Sequence, residues 1–293
     1  MKKFTLFFIA LQMLVSAFAQ ENLYVCHKDG TYTEFSISDV EKVRLESDGS
    51  PYTPDDGYKV FSINPVDRVL FSPGNLQYYP RRKEWRFAPD QTAHVGKENE
   101  NISPNYSGWI DQFGWGTGDD PTKTSMSYDS YSTFVDWGSN KIGDDEPNTW
   151  RTLSLNEWEY LLHSRENASD LITVGRVKGN NGVILLPDNW VCPDDVDLKI
   201  GFSSYEEGYA SLQIISEPMW DKLEAAGAIF LPAIGYRKGV TINELQESCR
   251  YWAGYWHMTT SAAMFYGNSM EAEIAFTFPY DGLAVRLVST QTF

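Results

Sequence analysis

Any chemistry in this 293-residue chain must draw on three cysteines, four histidines and forty acidic side chains. Cys26, Cys192 and Cys249 are far apart, and none belongs to a C-x-x-C pair. Thiol catalysis needs an activated thiolate and usually a resolving partner. Arg250 follows Cys249, but no second cysteine lies near it in sequence. An odd count leaves at least one thiol unpaired, so a Cys192–Cys249 bridge and three buried thiols are both open readings. Among His27, His94, His163 and His257, none stands with a serine and an acid in an arrangement that marks a nucleophile. Glu157 and Glu159 are two residues apart and point to different faces of a helix, which argues against an acid/base pair.

Calcium asks for clustered oxygen ligands. Asp119-Asp120, Asp144-Asp145-Glu146 and the run from Asp194 to Asp197 are the acidic clusters, but none fits an EF-hand loop. No cysteine–histidine spacing suits zinc. The glycine-rich run Gly114-Trp115-Gly116-Thr117-Gly118 lacks the lysine and the strand-to-helix setting of a phosphate loop. The residues therefore assign no catalytic group, no metal site and no cofactor.

The elements that must position any site are many short strands, two helices and long loops. Ser154 is placed to cap a helix, Glu157 completes a capping box, and Leu155, Trp158, Leu161 and Leu162 form its apolar stripe. A second helix is expected over Pro218–Ala226. Strands are expected at Tyr58–Ile63, Arg68–Ser72, Trp85–Ala88, Gly182–Leu186, Ala228–Ala233, Ala272–Phe278 and Ala284–Val288. Residues 89–148 carry little periodicity, and Trp109, Phe113, Trp115, Phe134 and Trp137 are the rings that would pack such a stretch internally. Aromatic residues make up 15% of the chain, with ten Trp and seventeen Tyr, enough to stabilise a loop-rich fold or to build a recognition surface. The element mix is α+β.

Forty acids against twenty-four Lys and Arg give a formal charge of −16. That balance excludes nucleic acid and anionic lipid as broad electrostatic partners. Residues 1–19 read as a signal peptide: Lys2-Lys3, an apolar run too short to span a bilayer, and Ala17-Phe18-Ala19 before Gln20. No other run approaches transmembrane length. A small β-hairpin module is expected over 20–46, with strands around a His27–Gly30 turn and a further turn at Ser38–Glu41. The Pro/Gly-rich segment 47–57 reads as a linker, and 58–293 as the main domain.

Several ordered motifs carry a resemblance. The run W-R-T-L-S-L-N-E-W-E-Y at 150–160 resembles the helix of the formylglycine-generating (sulfatase-modifying factor) family. I-L-L-P-D-N-W at 184–190 and G-Y-W-H-M-T-T at 254–260 resemble the centre of the related major paralogous domain proteins, and D-G-L-A-V-R-L-V at 281–288 resembles their final strand. L-F-S-P-G-N-L-Q-Y at 70–78, W-R-F-A at 85–88 and Y-S-G-W-I-D-Q-F-G-W-G at 106–116 are similar to a subgroup common in gut anaerobes. Together these cover about residues 60–290. The resemblance implies a C-type-lectin-like domain of small antiparallel sheets, two helices and long loops, exported by a Gram-negative bacterium to the periplasm, outer surface or medium. The family oxidase works through a late cysteine pair; here that region holds only Cys249, so its activity is not carried over.

In that fold the late connection, here Trp252–Asp281, presents side chains for recognition. Tyr255, His257, Tyr266, Asn268 and Tyr280 are the candidate ligand-binding residues, expected to converge on one concave face, whereas Trp252 and Trp256 are expected in the core. The expected function is non-enzymatic recognition of a glycan or a surface protein. The alternatives are a divergent oxidase or hydrolase, and a structural subunit of a surface assembly.

Overall fold

The computed structural model describes residues 22–26, 32–36, 59–202, 212–257 and 260–289; for residues 22–26, 32, 34–36, 256 and 257 it describes the backbone alone. The expected signal peptide, the turns at His27–Gly30 and Ser38–Glu41, and the linker lie outside the described residues. The chain divides into two units, Met1–Asp56 and Gly57–Phe293. In the first, β1 (Asn22–Cys26) pairs antiparallel with β2 (Tyr32–Ser36), in a register that sets Asn22 against Ser36 and Cys26 against Tyr32.

The second unit is a mixed α/β assembly of small, mostly antiparallel sheets with few helices. Strands β3 (Phe61–Ser62) and β4 (Arg68–Phe71) form a hairpin whose turn is fixed by Asn64, its Oδ1 accepting from the Val66 and Asp67 amides at 2.9 and 2.7 Å. Next come the hairpin β5 (Leu76–Tyr79) and β6 (Glu84–Phe87) and the helix α1 (Leu155–Glu159), which runs into a wider π turn at Tyr160–Ser164. Strands β7 (Ile172–Val177) and β8 (Asn180–Leu185) are followed by β9 (Ile214–Ile215), helix α2 (Glu217–Ala225) and β10 (Ile229–Pro232). The chain continues through the hairpin β11 (Tyr236–Lys238) and β12 (Thr241–Asn243) into β13 (Cys249–His257), β14 (Ser261–Gly267) and β15 (Ala272–Thr277). Last, β16 (Val288–Ser289) returns to pair with β4.

Both halves of the expected capping box form: the Glu157 carboxylate accepts from the Ser154 amide at 2.7 Å, and the Ser154 hydroxyl accepts from the Glu157 amide at 3.4 Å. Arg151 adds two hydrogen bonds to Glu157, at 2.9 and 2.7 Å. The helix then lays Trp158 on Phe265 of β14, with ring centroids 4.9 Å apart and nearly parallel.

In the sheet β13–β14–β15, β14 and the first half of β13 are buried on both faces, while the edge strand β15 is half exposed. Tyr251, Ala253, Ala263 and Phe265 face the core under α1, with Trp158 and Leu161. Their neighbours Trp252, Ala262 and Met264 face a second core built from Leu76, Trp85, Phe113 and Trp137. The period of two along a strand makes one sheet the wall of two cores. The Trp252 indole donates to the Phe113 carbonyl at 2.6 Å and that of Trp115 to the Ala253 carbonyl at 3.1 Å, so the irregular 89–148 stretch is tied to this sheet by one tryptophan from each side. A third core packs Trp220 and Leu223 of α2 against Phe230 and Ile184.

Two expectations are corrected. Trp252–Asp281 is mainly these strands rather than a long connection; β15 was expected, but β13 and β14, buried on both faces over most of their length, are largely apolar and aromatic and lack polar alternation. Ala284–Val288 is not a continuous strand. It is an extended segment that pairs piecewise, Leu283 with Phe113 and Ala284 with Tyr251, until β16 begins at Val288, which also pairs with Arg151.

Arg286 in that segment is 1% exposed. Its guanidinium donates to Gln91 Oε1 at 2.7 Å and to Asn75 Oδ1 at 3.4 Å. Gln91 Oε1 also accepts from the Phe230 amide at 2.8 Å, while its Nε2 donates to Glu224 Oε1 at 2.8 Å. Arg286→Ala should cost on the order of 3–5 kcal/mol in urea denaturation, through lost charged hydrogen bonds, orphaned acceptors and a cavity. Arg286→Lys should recover only part of this, because a point charge cannot reach both amide oxygens as a planar fork does.

A pH test isolates the cap. Burial would raise the Glu157 pKa, but the hydrogen bonds from Arg151 and Ser154 outweigh it and hold the group below its ordinary value of 4.5. Its contribution is then fully present above about pH 4.5 and lost as pH falls through the lowered folded value. The Tm gap between wild type and Glu157→Gln should be widest at neutral pH and close in acid.

Candidate ligand-binding site

The strand register places the five sequence-derived site residues. Tyr255 sits in the irregularity between Trp252 and Trp256 and is 43% exposed. The backbone of His257 pairs with Ser261; its side chain lies outside the described residues. Tyr266 stands across from Arg250, about four residues or roughly 13 Å along β14 from Ala262. Asn268 follows at that same far end. Tyr280 comes just after Thr277, which pairs with Ala262, and so returns to the Tyr255 end of the sheet.

The five therefore do not share one concave face. Asn268 is 8% exposed and occupied by its own turn: Oδ1 accepts from the Met270 and Glu271 amides at 2.7 and 3.1 Å, and Nδ2 donates to the Tyr266 hydroxyl at 3.1 Å. The half-buried Tyr266 ring lies under the Arg250 guanidinium, 5.4 Å from its centroid. These two are structural at one end; Tyr255 and Tyr280 mark the other.

At that other end a cavity of about 290 Å³ opens between residues 115–123 and 130–135. Gly116 has a φ of +63°, and a Cβ there would lie 2.7 Å from the Phe134 Cα, so the glycine-rich run serves close packing of the cavity wall. Thr117 and Val135 bridge the two segments. Lys123 reaches across, donating to the Ser130 carbonyl at 3.1 Å with the Asp120 carboxylate 3.6 Å away. Tyr131 is buried, its hydroxyl donates to the Ser125 carbonyl at 3.0 Å, and burial pushes its pKa up to about 12. The lining presents hydroxyl, ammonium and carboxylate groups that stay in their ordinary hydrogen-bonding roles, a set suited to holding a polar ligand without reacting with it.

An aromatic rim adjoins the cavity through shared backbone. The turn Tyr128–Tyr131 supplies both Tyr131 and Tyr128, and the Trp115 amide donates to the Pro279 carbonyl at 2.9 Å. Phe278 and Tyr280 stack at 5.0 Å, and Tyr128 lies 5.8 and 5.3 Å from them. Phe278 is 39% exposed and Met126 47%, whereas Tyr280 is 8% exposed and supports the rim from below. Burial first, and Tyr128 second, raise Tyr280 to about 12. The Lys238 ammonium stands 5.7 Å from the Phe278 centroid. Sequence reasoning missed Tyr128, Tyr131, Lys123 and Phe278. Phe278 and Tyr280 flank Pro279 in the turn that follows β15, where strand periodicity no longer applies.

Among the described residues two thiols can be placed, and the Cys26 side chain lies outside them. Cys192 and Cys249 are both unpaired. The Cys249 thiol donates to the Leu231 carbonyl at 3.1 Å, and burial drives its pKa up to about 12. Arg250 does not activate it; adjacent strand residues point to opposite faces, and Arg250 meets Glu244 at 2.5 Å and the Tyr236 ring at 4.2 Å. The acidic runs hold the protein's own donors: Asp145 accepts from the Trp150 indole at 2.8 Å and Asp195 pairs with Lys222. No group of three metal-ligating side chains gathers among the described residues, and none of their helices is long and apolar enough to cross a membrane.

Mapped iodoacetamide labelling checks the thiol assignment. Cys192, half-exposed, should label in the native protein, and Cys249 only after denaturation; native labelling of Cys249 would restore the thiol chemistry.

Compared with family models, curated proteins and solved structures, the chain matches none of them.

Proposed function

We propose that this is an exported, non-enzymatic recognition protein whose C-type-lectin-like domain binds a neutral glycan at the end of the sheet marked by Tyr128, Phe278 and Tyr280. It would act in the periplasm, at the outer surface or outside a Gram-negative cell. One observation carries the reading: a polar cavity shares its backbone with an exposed aromatic rim. Sugars have apolar C–H faces and hydroxyl edges, which calls for a ring beside hydrogen-bonding groups. Exposed Asp119 and Asp120 at the cavity disfavour an anionic sugar there. The fold reading is supported by the small antiparallel sheets, the two helices and the tryptophan-packed loops.

The test is a glycan array probed with the full chain, followed by titration of any neutral ligand retained. Phe278→Ala and Tyr128→Ala should each weaken binding about tenfold, close to 1.4 kcal/mol, and Lys123→Gln should do the same by removing a cavity donor. Retention of no neutral glycan, or equal binding by all three variants, overturns the proposal.

A further inference from the structure

In a chain with 40 acids and 24 bases, residues 79–86 read Y-P-R-R-K-E-W-R, four cations to one acid. The β5–β6 hairpin turns Leu76, Tyr78 and Trp85 inward, which leaves Tyr79, Glu84 and Arg86 on its outer face, with Gln77 buried beside Arg86. Trp109, from the adjoining loop, lies on that face. The result is a row in which guanidinium and ring alternate. The Arg82 guanidinium sits 3.8 Å from the Tyr79 centroid, Tyr79 meets Trp109 edge-on at 5.3 Å, and the Arg86 guanidinium sits 3.7 Å from the Trp109 centroid.

The row is held in place. Arg86 Nε donates to Gln77 Oε1 at 2.9 Å, the Tyr79 hydroxyl donates to the Ser107 carbonyl at 2.6 Å, and Arg81 donates to the Ser107 hydroxyl at 3.3 Å. Arg82 Nε is 3.1 Å from Glu84 Oε2, with both side chains half exposed. The terminal amino groups of Arg82 and Arg86 make no hydrogen bond among the described residues. Burial first, and the charge of Arg82 second, lower the Arg86 pKa, so the two cations oppose each other and an anion between them would relieve both.

We infer that this outer face of the β5–β6 hairpin is a second binding site, for a polysaccharide bearing uronate groups. Ring-stacked guanidinium is planar and weakly hydrated, and it offers paired N–H donors that match a carboxylate. A uronate carries a C–H face and a carboxylate on the same ring, which matches a ring set beside a guanidinium. An aspartate or glutamate side chain has the carboxylate but no such face, so an acidic protein fits the row less well. The Debye length of about 8 Å at physiological salt lets this patch act locally on an acidic molecule.

The test is affinity electrophoresis of the full chain in gels containing polygalacturonate, neutral dextran or polyglutamate. Polygalacturonate should retard the protein, less so as salt is raised, and the other two should not. Arg82→Gln with Arg86→Gln should weaken the polygalacturonate interaction at least tenfold, and Phe278→Ala should leave it unchanged, which separates this site from the cavity. Should the double variant unfold, Arg81→Gln with Lys83→Gln, at exposed cations, should still weaken retardation two- to threefold. Absence of retardation, equal retardation by polyglutamate, or a folded Arg82/Arg86 variant that binds like wild type overturns the inference.

Discussion

The domain depends on a buried cation, Arg286, that no carboxylate touches. Arg286 is fully charged at neutral pH even though burial lowers its pKa to about 10. Its nearest countercharge, Glu224, is reached through the Gln91 side-chain amide, which accepts from the guanidinium and donates to the acid. The amide keeps the two charges apart but polarises toward both, so the charge on helix α2 is felt in the core without a direct ion pair. The same guanidinium reaches Asn75, whose amide donates to the Tyr251 hydroxyl at 3.1 Å in the central sheet. Loop, helix, strand and late segment thus meet at one planar group. A buried charge tolerates few alternative arrangements, because any packing that leaves it unpaired is expensive.

Around that point the two-sided sheet decides what was legible in the sequence. The α1 cap was readable because Ser154 and Glu157 act on backbone three residues away, and local hydrogen bonds leave local signatures. β13 was not. In Cys249–His257 the residues facing one core and those facing the other are equally apolar, so the alternation that announces a half-buried strand is missing. Residues 283–287 posed the reverse problem: they read as a short apolar strand, but their partners are single residues scattered over three segments.

The candidate site was legible only in part, for a related reason. Tyr255 and Tyr280 were found from their type and place, but residue type says nothing about which end of a hairpin a residue occupies, so Tyr266 and Asn268 were grouped with them. Asn268 is a turn residue, and its side-chain oxygen is spent on two backbone amides. Tyr128 and Lys123 come from the aperiodic 89–148 stretch, and only its folding against the sheet brings Tyr128 beside Phe278.

The distance in sequence between Arg286 and Asn75, 211 residues, has a consequence for how the chain is made. β16 closes on β4 and Arg286 on Gln91, so the contacts that finish the first-made part of the domain are supplied by residues synthesised much later. At about 5–20 residues per second of synthesis, the N-terminal strands wait roughly 10–40 s for their partners. During that interval the faces of Trp85, Phe113 and Trp137 have no Leu283, Val285 or Leu287 to cover them. A topology of this kind has high contact order and folds late and slowly, so the growing chain presents its most aromatic surface to chaperones well before it presents a folded site to any ligand.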